Sequence, residues 1–115
     1  MATVVVDMRT CDKTHRITVT AREDGDFDVG IESDCPKIEA YGSRLGKISL
    51  TDLLDLEGSR IMSSDMRQDI SANCLSAMGV INAGWIEAGM LSRTLVAKSA
   101  QNSVRFTDGD GGLLK

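Results

Sequence analysis

His15-Arg16-Ile17-Thr18-Val19-Thr20-Ala21-Arg22, then Glu23-Asp24-Gly25-Asp26, then Phe27-Asp28-Val29-Gly30-Ile31-Glu32-Ser33: this run decides the fold. Successive side chains of a strand point to opposite faces. Here His15, Ile17, Val19 and Ala21 share one parity, while Arg16, Thr18, Thr20 and Arg22 take the other. That pattern is a strand solvated on one side. The acidic, glycine-containing tetrapeptide that follows is turn chemistry. After it Phe27, Val29, Ile31 and Ser33 alternate with Asp28, Gly30 and Glu32, so the two segments form an antiparallel hairpin.

Toward the N-terminus, Thr3 to Arg9 is rich in β-branched residues, with Val4, Val6 and Met8 set against Thr3, Asp7 and Arg9, and reads as a first strand. Toward the C-terminus, Ser33-Asp34-Cys35-Pro36 places capping side chains ahead of a proline suited to a first helical turn, with Ile38, Tyr41 and Leu45 on one side of the helix. Ser49-Leu50-Thr51-Asp52 opens another helix carrying Leu53, Leu54 and Leu56, and Gly58 is the expected stop. Residues 59–72 read as a polar, partly helical connection. Ser76 to Leu91 is apolar nearly all round and is expected to be the central buried helix, with Ala77, Ile81, Gly84 and Ala88 as the low ridge against the sheet. Ser103 to Thr107 is expected to add a last short strand, and 108–115 to be a flexible tail.

The resulting expectation is an α+β fold: an antiparallel sheet of three to four strands with helices packed on one face, in a single domain over residues 1–107. A chain of 115 residues is long enough to bury its own core without a metal or disulfide. Its aromatics are only Phe27, Tyr41, Trp85 and Phe106, so that core must be aliphatic. Thirteen basic residues against 17 acidic ones, without clustering, supply no footprint for a nucleic-acid backbone. The valine run near Met1 is too short for a signal peptide, and Ala77 to Leu91 too short and too interrupted for a membrane span. A cytoplasmic protein with protein partners, and without nucleic-acid or membrane partners, is the expectation.

The odd count of cysteines, Cys11, Cys35 and Cys74, argues for reduced thiols over a disulfide framework. Strand direction brings Cys11 and Cys35 to the same edge of the sheet. In the order 1-2-3 the backbones of the outer strands lie about 9–10 Å apart, close enough for inward-leaning side chains to share a metal. Cys35 and Cys74 each stand before a helix, where free amides and the helix dipole favour a thiolate. Asp12, His15 and Asp34 are the protein's own candidates for a fourth ligand. His15, the single histidine, is otherwise an ordinary strand-end residue with one nitrogen in water. Spacings of 24 and 39 residues contain no CxxC pair. Three readings stand open: a metal or iron–sulfur site, an interaction domain whose cysteines are buried core residues, and a thiol redox protein using Cys35 and Cys74.

No phosphate-binding loop, dinucleotide fingerprint, nucleophile elbow or HExxH motif is present, and one histidine leaves little material for a general base. Asp108-Gly109-Asp110-Gly111 lacks the remaining ligands of a calcium loop.

A strand, Cys11, a hairpin, Cys35 at a strand-to-helix junction and Cys74 opening an Ala-rich helix together resemble the iron–sulfur cluster assembly scaffolds of the NifU amino-terminal (IscU-like) type, over most of residues 3–91. Glu32-Ser33-Asp34-Cys35-Pro36, and Ala72-Asn73-Cys74 followed by Glu87-Ala88-Gly89, are more closely similar to a family of small three-cysteine proteins of anaerobes that carries no assigned function. The scaffold resemblance implies that Cys11, Cys35 and Cys74 hold an iron–sulfur cluster or zinc, with an aspartate near the first cysteine. Asp12 directly follows Cys11 where the scaffolds place a glycine first, Asp34 and Pro36 replace glycines around Cys35, and Asn73 replaces a histidine.

Overall fold

The computed structural model describes residues 1–114. Strands β1 (Ala2–Met8), β2 (Lys13–Ala21) and β3 (Phe27–Ser33) form an antiparallel meander, completed by the two-residue β4 (Lys47–Ile48), in the order β1-β2-β3-β4. The hairpin register runs from Ala21 opposite Phe27 to His15 opposite Ser33, and Val6 stands across from His15 on the other side. The alternation is as expected: Val6, Met8, His15, Ile17, Val19, Phe27 and Val29 are buried, while Thr3, Val5, Arg16, Asp28 and Glu32 face solvent. One face of the sheet is therefore the core floor, and the other is wet.

Helix α1 (Pro36–Leu45) opens with Cys35 as its extended N-cap and Pro36 in the first turn. It closes at Gly46, whose φ of 56° suits glycine and whose N–H donates to the Gly42 carbonyl at 3.0 Å. The Arg60 guanidinium donates to the Leu45 carbonyl at 3.3 Å, satisfying an acceptor that the helix end leaves free, and to the Lys47 carbonyl of β4. Helix α2 (Leu50–Leu54) begins with a full capping box between Ser49 and Asp52 and stops at Asp55, three residues before the expected Gly58.

The connection after α2 is not simply polar. Ser59 and Ile61 are buried, Tyr41 donates its hydroxyl to the Ile61 carbonyl at 2.8 Å, and only Ser64–Arg67 (α3) is helical. Polar sequence hides apolar anchors: Ile61 is fully enclosed, and Met62, Met66 and Ile70 pack partly buried against the core.

Helix α4 (Ser76–Glu87) lies across β1 and β2 and ends four residues short of the expected Leu91, with Gly89 at φ 79°. A Cβ on Gly79 would stand 2.6 Å from Val6 Cγ2 and 2.7 Å from Ile17 Cδ1, so this glycine makes the close approach to the sheet. Gly84, expected on that ridge, instead faces Leu53 of α2. An all-round apolar helix has no preferred stripe in its periodicity, which is why sequence cannot orient it. Gly42 of α1 meets Ile31 of β3 in the same way, placing both long helices on one face of the sheet.

Helix α5 (Arg93–Ser99), capped by Ser92, completes the set. The strand expected at 103–107 is not formed. Thr107 makes only an isolated bridge to Leu113, with Asp108 Oδ1 accepting from the Asp110 and Gly112 amides across the loop. Lys115, the last residue of the expected tail, lies outside the described residues. No helix is long and apolar enough to cross a membrane among the described residues.

Candidate functional site

His15 stands in the third row of the sheet from the end at which β1 turns into β2, opposite Val6. It is 1% exposed, and its Nδ1 lies 2.7 Å from Ser33 Oγ on the facing strand. The same Ser33 oxygen accepts from the Cys35 amide at 2.8 Å. With that lone pair engaged, the hydroxyl and the imidazole settle the remaining proton between them. The other nitrogen, Nε2, is buried without a hydrogen-bond partner. Neither nitrogen is in water, contrary to the expectation for a strand-end histidine.

Burial holds the His15 pKa below its ordinary 6.5, and the nearby Asp34 carboxylate offsets this only in part. The neutral ring is thus the folded form. Asp34 is pinned beside it, its Oδ1 accepting from the Thr14 amide at 3.0 Å. That bond, helped by the charge of Lys13, keeps its carboxyl below the usual range.

The three thiols lie around this row. Cys11 is exposed in the turn linking β1 to β2, beside Asp12, which takes a φ of 55°. Cys35 is half-buried at the α1 N-cap, and its side chain makes no capping hydrogen bond. Cys74 is half-buried and packs against the core, its Sγ 3.2 Å from Ser76 Oγ in the first turn of α4. The direction of α4 carries Cys74 to this end. Glu87 at its far end accepts from the Ala21 amide at 2.8 Å, and Gly79 sits midway over Val6 and Ile17. Asn73 and Leu75, on either side of Cys74, line one hollow with Met8, Arg9 and Thr10.

The expected gathering at one end of the sheet is therefore present, and none of the three cysteines is a fully enclosed core residue. Closer convergence is not. Among the described residues, no three His, Cys, Asp or Glu side chains stand together as a set that could hold a metal ion. In chemistry the donors suit a thiophilic ion, since three thiols and a neutral imidazole with a free nitrogen are soft or borderline ligands. As they stand they are a dispersed set. Ser33, which orients both His15 and Cys35, was not among the expected site residues.

A family model matches residues 2–99, which includes every residue of this site. The chain belongs to DUF6951, a family of unknown function. The matched span stops at the end of α5, so the segment after Ser99 lies beyond it. Neither the curated proteins nor the solved structures contain a match to the DUF6951 chain.

The histidine makes one outcome testable without any ligand. An unfolded His15 takes up a proton near its ordinary pKa of 6.5, while the folded one resists it. The unfolded state then binds more protons, so the stability of the metal-free protein should be full above that value and fall as pH drops below it. Thermal melts between about pH 7.5 and 5 should show the decline, in a range above the ordinary carboxylate pKa values. His15→Leu should flatten it; an unchanged slope would assign the effect elsewhere.

Proposed function

We propose that this protein binds a thiophilic metal, either zinc or an iron–sulfur cluster, through Cys11, Cys35 and Cys74 in a reducing, cytoplasmic setting. The observation that carries the reading is the placement of three free thiols, none of them fully enclosed, at the same end of the sheet as a buried neutral imidazole with an unpartnered nitrogen. Free cysteine is usually buried, so three that are not have a use for their sulfur. The fourth ligand is His15, whose Nδ1 is oriented by Ser33 as imidazole ligands commonly are, with Asp12 and Asp34 as alternatives. A bound metal would supply charge that holds the thiols deprotonated and draws a dispersed set together. On this reading the four-stranded antiparallel sheet with helices on one face is a relative of the NifU-type scaffolds, and the absence of a closed ligand set suits a site that assembles with its cargo.

Elemental analysis and absorption spectra of protein purified without oxygen test the proposal. Stoichiometric zinc, or iron with sulfide charge-transfer bands, is the expected result. Cys11→Ser, Cys35→Ser and Cys74→Ser should each reduce metal retention by about tenfold or more, the loss typical of a removed ligand or its support. Protein that holds no metal and cannot be reconstituted sinks the reading. A disulfide between Cys35 and Cys74 on mild oxidation, without metal, would replace it with thiol redox chemistry.

A further inference from the structure

Strand β1 is an edge strand, and an unguarded one. Its sequence, Ala-Thr-Val-Val-Val-Asp-Met, contains no lysine or proline, and Asp7 is its single charge. Among the described residues no backbone hydrogen bond joins it to any segment but β2. Such an edge is a template for another strand. Beside it runs an open groove of about 770 Å³, whose far wall is the same chain's Leu95 and Ser99–Val104.

That far wall has no core of its own. From Gly89 to Leu114 no residue is buried, and Val104 and Phe106 are 69% and 59% exposed. Yet Ser103-Val104-Arg105-Phe106-Thr107 alternates as a strand does. We propose that this segment of a second copy of the chain adds to the outer edge of β1, each protomer exchanging the segment with the other. The combined sheet then reads β1, partner segment, own segment, partner β1, and closes about a two-fold axis. Because the own segment is already the far wall of the groove, the partner's segment would enter between it and β1.

Charge and pattern agree on the register. With Arg105 opposite Asp7, the single charges of the two strands pair on the solvated face. Val104 and Phe106 then fall on the other face beside Met8 and Val6, over the second hollow of about 400 Å³ lined by Met8, Leu75 and Phe106. Pairing a copy's β1 with β1 would leave Val104 and Phe106 uncovered.

Sedimentation of the full-length chain across a concentration series tests this, with circular dichroism to verify that variants fold. A dimer is expected. Phe106→Asp and Val104→Asp, both on exposed side chains, should raise its dissociation constant by about tenfold or more, as truncating a central apolar anchor does. Arg105→Asp should weaken it, and the swap Asp7→Arg with Arg105→Asp should restore it. In amide exchange, β1 protection should rise with protein concentration. A chain that is monomeric throughout overturns the proposal, as does a dimer indifferent to Val104 and Phe106, or concentration-independent β1 protection from the chain's own segment folding back.

Discussion

Gly79→Val is expected to lower stability by about 3 kcal/mol and the melting temperature by roughly 10 °C. The added Cβ alone would sit 2.6 Å from Val6 Cγ2 and 2.7 Å from Ile17 Cδ1. Val6 has one stiff torsion on a strand, and Ile17 is fully buried, so neither side chain can swing clear. Helix α4 must lift from the sheet or the strands must bend. The usual gain from replacing a helical glycine, about 1 kcal/mol for Gly→Ala, acts in the opposite direction and is smaller. Gly30 provides the contrast: a Cβ there meets nothing within 4 Å, and the residue lies on the wet face of β3. Gly30→Thr should therefore be neutral or stabilising by about 0.5 kcal/mol. Urea melts of both variants decide the matter; a Gly79→Val protein as stable as the parent would mean that α4 does not seat on β1 and β2 through this glycine.

Asp52→Ala is expected to cost about 2–3 kcal/mol, from a lost helix cap plus a backbone donor left without its partner. Asp52 is only 6% exposed, and its two carboxylate oxygens do different work. Oδ2 accepts from the Ser49 amide at 2.9 Å as half of the capping box, while Oδ1 accepts from the Arg60 amide at 3.0 Å. Its carbonyl also accepts from the buried Ser59 hydroxyl at 2.6 Å. The side chain therefore joins the start of α2 to the connection that carries Ile61 into the core. Ser49→Ala removes only the reciprocal cap and should cost about 1 kcal/mol. Equal losses for the two variants, read as the shift in urea midpoint at constant slope, would show that the Arg60 bond contributes nothing.

The parts of the fold that sequence disclosed are those governed by local rules. Alternation located β1, β2 and β3 to within two residues, and Pro36 and the Ser49–Asp52 pair marked two helix starts. What stayed hidden depends on partners distant in the chain. Nothing local tells that Ile61 is enclosed, or that Gly79 and not Gly84 touches the sheet. Helix α5 had its Ser92 cap in plain view, but its residues bury nothing, so its periodicity was weak. In the site, the strand directions sufficed to bring Cys11, Cys35 and His15 to one end. Ser33 was legible too: stepping outward from Ala21 opposite Phe27 brings His15 opposite Ser33. The missing step was to carry the hairpin register through to its end. The distances between the thiols depend on side-chain placement, which no spacing encodes.

The meander order of the sheet also sets where chain entropy is spent. Each of β1, β2 and β3 pairs with its neighbour in sequence, across turns of a few residues, so the loops that must close are short and their closure is inexpensive. Helix α4 is the opposite case, since it returns to β1 from the far half of the chain. The sheet is thus the locally encoded half of the molecule, and α4 is the long-range clasp. The end of the molecule that holds Cys11, His15, Cys35 and Cys74 draws its residues from both halves, Cys74 from the start of the clasp and the others from the sheet and its edges.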